Sequence, residues 1–377
     1  MRLLFVVNIP RFFVSHRLPL ALAAREAGYD VHVATAAGDE RNLGIIEEHG
    51  LTLHQIPLEQ HGMRPLSELR TLIALVRVMR RLRPDLVHLV TIKPVLYGGI
   101  AARITRRRAV VAAMSGLGRA FLDDAGQRTH PSRWLTIALR LATRWPGTHV
   151  LVQNEDDLRI LQEIAVARAG QSSVIPGSGV DLDEFSPSPP PSSGTSDVRL
   201  LYAGRLMRQK GLGEFLEVAK RLKGQARFVV AGYSEPGSPD GIQVETMDTL
   251  ASDGIIEWLG SRSDMPAVIA GSDVVVLPSY AEGFPKTLIE AASSGRPIIA
   301  TDAPGCRDVC HHEVNGLLVR PADVESLERA VLQLVAQPEL RERLGASGRE
   351  IAVGNFGLES ILRATLDLYR ALTQRPH

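Results

Sequence analysis

At 377 residues, 45% of them hydrophobic and with 43 Lys and Arg against 42 Asp and Glu, the chain has globular make-up and is too long for one ordinary core. No run reaches the ~18 consecutive apolar residues of a membrane span. Its only cysteines, Cys306 and Cys310, argue against a disulfide framework and suit a reducing compartment. Charge is uneven: residues 1–175 hold 23 Lys and Arg against 15 Asp and Glu, net +8, and the remainder holds 20 against 27, net −7. A basic half points to an anionic partner such as a membrane surface, a phosphorylated substrate or nucleic acid.

In chain order, MRLLFVV at 1–7 reads as a first strand; MRLLFVVNIPRFF is too short and too interrupted for a signal peptide. Residues 8–15 are expected as a loop, 16–27 as a helix ended by Gly28, and 29–34 (YDVHVA) as a strand. This strand–loop–helix–strand opening lacks a Gly-x-Gly-x-x-Gly turn, which argues against a dinucleotide here. Residues 66–82 form an amphipathic helix with Leu69, Leu72, Ile73, Val76 and Met79 on one face and arginines on the other. A strand at 85–90 leads into a loop, 91–94, that puts Lys93 at the ligand-binding edge of the sheet. The next helix, 95–108, ends in RITRRR, and arginines in a last turn suit the helix dipole.

A strand at 109–114 precedes the Gly-rich loop SGLGRAF. Its Ser115 hydroxyl and its backbone N–H groups, around Gly116 and Gly118, are equal candidates for a ligand contact. Residues 132–145 read as a helix with Trp134, Ile137, Leu141 and Trp145 three or four apart, flanked by Arg133, Arg140 and Arg144. That pattern fits an interfacial helix; a core-facing helix is the other reading. A strand at 148–154, a helix at 155–166 and a short strand at 173–176 close the half, and 177–197, rich in Pro and Ser, reads as a linker.

The second half opens on a strand, 198–203, followed by GRLMRQKG, which places Arg205 and Lys210 just past a strand end. An arginine fork and a lysine point charge together suit a diphosphate. Further strands are expected at 227–232, 255–260, 273–279, 297–301 and 317–320, and helices at 322–335, 340–353 and 357–372. Within 273–301 a buried strand, a short loop and a helix opening at Pro285 form a strand–helix–strand unit. Glu282 lies in the loop and Glu290 on the helix, seven residues intervening. A helix N-terminus at the carboxyl end of a parallel strand seats a phosphate, and two carboxylates beside it suit sugar hydroxyls. Glu290 also stands four residues after Lys286, the spacing of an ordinary surface pair. Cys306 and Cys310 with His311 and His312 have an admissible zinc spacing but no second cysteine pair.

PSYAEGFPKTLIEAASSGRPIIAT resembles the E-x7-E element of retaining glycosyltransferases of family 4, which have the GT-B fold. GRLMRQKG and IPGSGVDLDEF are similar to further stretches of that family, and the likeness is sharpest over 198–320. It implies an α/β, GT-B architecture: an N-terminal Rossmann-like acceptor domain at 1–176, a linker at 177–197, a C-terminal Rossmann-like nucleotide-sugar domain at 198–356 facing it across a cleft, and a helix at 357–377 crossing back. It implies that Glu290 holds the ribose and Glu282 faces the transferred sugar, with Arg205 and Lys210 on the diphosphate and Gly283, Phe284, Pro285 and Lys286 completing the donor site. Catalysis then falls to Glu282, Arg205 and Lys210, with no cofactor and no metal. In the first half His16, Lys93, Ser115, Gly116 and Gly118 are the acceptor-binding candidates; His16 also reads simply as a helix-start residue. Two family features are missing: the loop 8–16 reads NIPRFFVSH rather than Gly-rich, and SGLGRAF holds no histidine to approach the reacting carbon.

SHRLPLALA, VTIKPVLYGGIAAR, SGLGRAF and PGCRD resemble bacterial enzymes acting on undecaprenyl-diphosphate-linked sugars. The expectation is therefore transfer of a sugar, an N-acetylhexosamine, from a UDP-sugar to a polyprenyl-diphosphate-linked acceptor in surface polysaccharide or glycan assembly. It places the protein in the cytoplasm, peripheral on an anionic membrane surface, with no nucleic-acid partner. A nucleotide-sugar 2-epimerase of the same fold, or a non-catalytic sugar- or lipid-binding module, are the alternatives.

Overall fold

The computed structural model describes residues 1–59, 65–122, 129–191, 194–195, 197–234, 238 and 240–374. They divide into two units. Unit 1 takes the described residues of 1–121, 129–178 and 361–377; unit 2 takes those of 179–360 with Leu122. The last three residues of the expected helix 357–377, and residues 192, 193 and 196 of the expected linker, lie outside the described residues.

Unit 1 contains, in order, β1 (Arg2–Val7), α1 (Pro10–His16), α2 (Leu18–Glu26), β2 (Asp30–Ala36), α3 (Glu40–Glu48), β3 (Thr52–Ile56), α4 (Pro65–Leu82), β4 (Leu86–Val90), α5 (Ile92–Ile104), β5 (Val110–Met114), α6 (Arg133–Thr143), β6 (Thr148–Val152), α7 (Glu155–Glu163) and β7 (Ser172–Val174). Its strands pair in parallel in the order β3-β2-β1-β4-β5-β6-β7. Leu3–Val7 of β1 and all of β4 and β5 are buried, as strands covered on both faces must be. The order reverses between β1 and β4, and the loops after those strands are where a doubly wound sheet binds ligands.

Unit 2 contains β8 (Arg199–Arg205), α8 (Leu212–Arg221), β9 (Arg227–Tyr233), α9 (Val244–Ser252), β10 (Glu257–Trp258), α10 (Met265–Ala270), β11 (Val274–Leu277), α11 (Lys286–Ser293), β12 (Ile298–Thr301), β13 (Gly316–Val319), α12 (Val324–Ala336) and α13 (Pro338–Asn355). The parallel order is β10-β9-β8-β11-β12-β13, with the reversal between β8 and β11. Cys306 and Cys310 are free thiols with no exposure, built into this unit's core. Burial pushes Cys310 up to about 12 and Cys306 higher still. Among the described residues no group of three His, Cys, Asp or Glu is placed to hold a metal.

The last helix, α14 (Leu358–Thr373), belongs to unit 1 from Ile361 onward. Its Tyr369 is buried there, with its hydroxyl 2.5 Å from His88 Nδ1. Burial and the nearby Arg17 charge hold His88 well below the ordinary imidazole value.

Several elements depart from expectation. Residues 10–16 are helix rather than loop, because Pro10 occupies a first-turn position where its missing N–H costs nothing. The chain breaks at Arg17 and restarts as α2, with Pro19 again in the first turn. Helix α5 begins at Ile92, after Thr91 at φ 74, so Lys93 and Pro94 lie in its first turn rather than in a loop. On α4 the buried side is Thr71, Leu75 and Met79, while Leu66, Leu69 and Ile73 are exposed; the apolar face is rotated from the one expected. The sequence pattern predicts no element over α3 and β3, since the TLHQI strand is short and polar for an interior position.

Candidate active site

The expected donor residues gather in unit 2 at the reversal of its sheet. Arg205 is the last residue of β8 rather than a loop residue, paired in register with Tyr233 of β9. Tyr202, earlier on the same strand, donates its hydroxyl hydrogen to the Arg205 carbonyl at 2.9 Å. Lys210 follows in a short 3-10 turn, 208–210, closed by Gly211 at φ 71. A side chain at Gly211 would overlap the Pro278 carbonyl, so glycine is required by conformation and by space.

The loop after β11 is laced from both sides. Tyr280 N–H donates to Gln209 O and Glu282 N–H donates to Pro304 O, both at 3.0 Å, and Thr301 donates its hydroxyl hydrogen to Ser279 O. Gly305, at φ 78, lets the chain pass so close that a Cβ would lie 2.5 Å from the Glu282 carbonyl. The lacing sets Glu282 against Lys210, whose Nζ stands 2.5 Å from both carboxylate oxygens. Their side chains are 11% and 17% exposed, so this pair is not a solvated one. The Tyr202 hydroxyl, fully buried, senses both Glu282 and Arg205, which ties these charges to one neighbourhood.

Pro285 is the N-cap of α11 rather than its first residue; Lys286 begins the helix. Thr287 donates to Ala203 O at 3.1 Å and pins α11 to β8. Glu290 is buried, with Lys286 Nζ 3.4 Å from its Oε1, so the four-residue pair is real but its carboxylate is interior. Burial raises the Glu290 carboxyl to about 7, against the pull of Lys286 and with a further push from Glu184. A carboxylate at that value is poised to take a hydrogen bond from a hydroxyl as pH rises. Gly283 and Phe284 complete the loop, and Phe284 packs edge-on against Phe356, ring centroids 5.3 Å apart. The motif does not point to Tyr202, Thr287 or the Tyr280–Glu214 hydrogen bond at 2.5 Å. Gly211 and Gly305, in QKG and APG, are the only legible hints of this support.

In unit 1 the acceptor candidates are more scattered. His16 stacks on Phe12, with ring centroids 4.3 Å apart, and its Nδ1 is 2.6 Å from Ser15 Oγ. Lys93 Nζ donates to Glu68 Oε1 at 3.0 Å and to Glu59 O at 3.1 Å, so its charge is matched inside the unit. Ser115 Oγ accepts from Arg17 Nη2 at 2.9 Å, and Gly116 and Gly118 turn the loop with φ of 96 and 64. His16 and Ser115 line one cavity with Arg17, His88 and Gln153; Lys93 does not line it. Arg17 lies in the SHRLPLALA stretch but is not among the expected site residues. It is 6% exposed, its Nε has no hydrogen-bond partner among the described residues, and burial lowers it to about 10.

The exposed side of α6 carries Trp134, 80% exposed, with Ile137 and Leu141. Trp145, beyond the end of α6, is half-buried: its Nε1 donates to Arg107 O at 3.0 Å, and its ring borders a groove with Leu141. Arg140 and Arg144 donate to the Ile164 and Ala165 carbonyls beyond α7; Arg133 and Arg144 are exposed, and Arg140 is half-buried. Among the described residues no helix is long and apolar enough to cross a membrane.

Residues 189–351 match the family model described as glycosyl transferases group 1, and residues 2–154 match that described as glycosyl transferase 4-like. The chain belongs to this glycosyltransferase family. Among curated relatives of the glycosyltransferase, one from Campylobacter jejuni is 24% identical over 98% of both chains; its name is N,N'-diacetylbacillosaminyl-diphospho-undecaprenol alpha-1,3-N-acetylgalactosaminyltransferase. Another, from Escherichia coli, is 28% identical over 83% of this chain and 82% of its own; its name is UDP-Gal:alpha-D-GlcNAc-diphosphoundecaprenol alpha-1,3-galactosyltransferase. A solved structure, Anabaena HepE in complex with UDP and glucose, superposes with TM-score 0.79 at 21% identity, covering 98% of this chain and all of that one. The glycosyltransferase therefore has the GT-B fold.

Proposed function

We propose that this glycosyltransferase moves an N-acetylhexosamine, with retention at the anomeric carbon, from a uridine diphosphate donor to a sugar carried on polyprenyl diphosphate. The observation that carries the reading is the grouping of Arg205, Lys210 and Glu282 at the sheet reversal of unit 2, with Glu290 on the helix that comes next. Arg205 and Lys210 hold the diphosphate, and Glu290 accepts hydrogen bonds from the ribose hydroxyls. The bond between the anomeric carbon and the β-phosphate oxygen breaks, and the acceptor oxygen bonds to that carbon. The acceptor's proton passes to the departing diphosphate. Stabilising the charge on that leaving group is electrostatic work, for which two fixed cations suffice. Glu282, tethered to Lys210, faces the transferred sugar and holds the lysine in place.

The acceptor and the polysaccharide context rest on the names of the relatives. Attachment to the cytoplasmic face of a membrane rests on the basic charge of residues 1–175 and on the outward face of α6. There Leu141 borders a groove of about 450 Å³ with Ile104, Arg103 and Arg106, an apolar floor with a cationic rim. The test is incubation of the purified protein with UDP-N-acetylglucosamine, UDP-N-acetylgalactosamine, UDP-glucose and UDP-galactose, with and without a polyprenyl-diphosphate-linked sugar. The expected result is UDP release and an α-linked product only when acceptor is present. Donor converted without acceptor would establish an epimerase instead, and binding without turnover a non-catalytic module.

A further inference from the structure

At the amino ends of β1 and β2, away from the candidate acceptor residues, unit 1 has a second cavity of about 470 Å³. Arg2, Asp30, His32, His54, Arg77 and Arg81 supply its polar lining. Three arginines thus face a single carboxylate. Arg77 and Arg81 are exposed, one helical turn apart on α4, and neither has an ion-pair or hydrogen-bond partner among the described residues. Like charges at that spacing repel, which an anion between them would reverse. Arg2 donates through Nη1 to Leu82 O at 2.9 Å, while its Nε lies 3.8 Å from Asp30.

The floor is a histidine pair. His32 Nδ1 is 3.1 Å from His54 Nε2, and the rings stack with centroids 5.3 Å apart. His32 is 8% exposed, and its Nε2 is buried without a hydrogen-bond partner among the described residues, although Asp30 Oδ2 lies 3.2 Å away. Two imidazoles joined nitrogen to nitrogen share one proton when neutral. One further proton turns His54 into a cation beside Arg81, and negative charge entering the cavity favours that form. Burial, then His32, then Arg81 lower the His54 value accordingly.

We propose that this cavity binds a phosphate-bearing anion. A tetrahedral dianion accepts from the planar forks of Arg77 and Arg81 together, and its charge admits a proton to the histidine pair beneath. The groups facing that pair are Arg2, Asp30, Arg77 and Arg81, with Asp85 accepting from the Arg2 backbone N–H at 2.7 Å. With the positive groups in excess, affinity rises as pH falls. The anion comes either as a free phosphate ester or as the headgroup of an anionic lipid.

The experiment uses the full chain. Histidine imidazole resonances are followed during titration with inorganic phosphate, and with sulfate, which stays a dianion from pH 8 to 5.5. The His32 and His54 signals are expected to shift saturably. Arg77→Ala/Arg81→Ala should weaken phosphate at least tenfold, whereas Arg133→Ala should not. Sulfate should bind several-fold tighter at pH 5.5 than at 7.5, since an anion that raises the pKa of one imidazole by roughly 1 gives at most about tenfold, and His54→Gln should abolish the difference. Both arginines are exposed and partnerless, so the double variant is expected to fold. Sedimentation with phosphatidylglycerol and phosphatidylcholine vesicles separates the sources. Loss of anionic-vesicle binding in the double variant, with competition by phosphate, assigns the headgroup. Unchanged sedimentation beside lost phosphate binding assigns the free ester. Absence of a saturable shift, or equal affinity in wild type and double variant, overturns the proposal.

Discussion

The two units have the same kind of sheet, yet they treat their candidate residues differently. In unit 2, Lys210 and Glu282 form a mostly buried ion pair at the strand ends, and Glu290 is buried beside Lys286. In unit 1, Lys93 is bound to Glu68, His16 is stacked on Phe12, and Ser115 is held by Arg17. The first arrangement keeps charged groups together, where the proposed nucleotide sugar would engage them all. The second spends most candidates on holding loops in shape, and leaves Arg17 as a buried cation that donates to the Ser115 hydroxyl and the His16 carbonyl. On the proposed function, a common donor chemistry would account for a fixed cluster in one unit, and an acceptor read by shape for the looser set in the other.

The contrast is sharpest under removal of unit 2's cations. Arg205→Ala and Lys210→Ala should each lower kcat/KM about 10²–10³-fold. Lys210→Ala also strands the Glu282 carboxylate, so its melting temperature should drop. Adding Glu282→Gln should restore the melting temperature but not turnover; recovery of both would reduce the pair to scaffolding.

Glu290 comes next. Glu290→Gln should raise the donor KM about tenfold or more while kcat changes little, because ribose contacts are equal in ground and transition states. Since Glu290 sits near 7, wild-type donor KM should fall as pH rises from 6 to 8, and the variant should lose that slope. The folded carboxyl holds its proton to higher pH than the unfolded one. Its contribution to stability therefore declines as pH rises from the ordinary carboxyl range through about 7, and Glu290→Gln should flatten that decline as well. A kcat defect with unchanged KM would exchange the roles of Glu290 and Glu282.

Smaller effects belong to unit 1. Lys93→Met should lower the melting temperature by a few degrees, raise the acceptor KM several-fold and leave donor KM unchanged; a donor effect would erase the division of labour. Trp134→Ser with Arg133→Glu should reduce sedimentation with anionic vesicles while preserving turnover of a soluble acceptor analogue. Arg140 is unsuited to that test because it holds the end of α7.

How much is legible in the sequence depends on what each feature requires. The parallel sheets show themselves through apolar runs such as LLFVV and VVVL, and the donor motif through its spacing. A motif names residues but not their partners. That Glu282 faces Lys210 depends on Gly211, Gly305 and the hydrogen bonds of the 278–285 loop, which join segments distant in sequence. Pro10 and Pro94 suggest loops, yet both stand in first turns, because a proline breaks a helix interior but starts a helix comfortably. The outward leucines of α4 pass for its buried face because an apolar stripe shows periodicity, not direction. Arg17 stands in the SHRLPLALA stretch, yet nothing there tells that it is buried: a buried cation and a surface one are spelled alike.

Cys306 and Cys310 turn the chain into its own unfolding gauge. Both lie in the core of unit 2, and unit 1 contains no cysteine. A thiol reagent should therefore ignore the native protein and react only when unit 2 opens, so its labelling rate against denaturant gives that unit's opening free energy alone. Circular dichroism reports both units together. The gap between the two curves would show whether a nucleotide sugar stabilises the half that binds it, without a single engineered label.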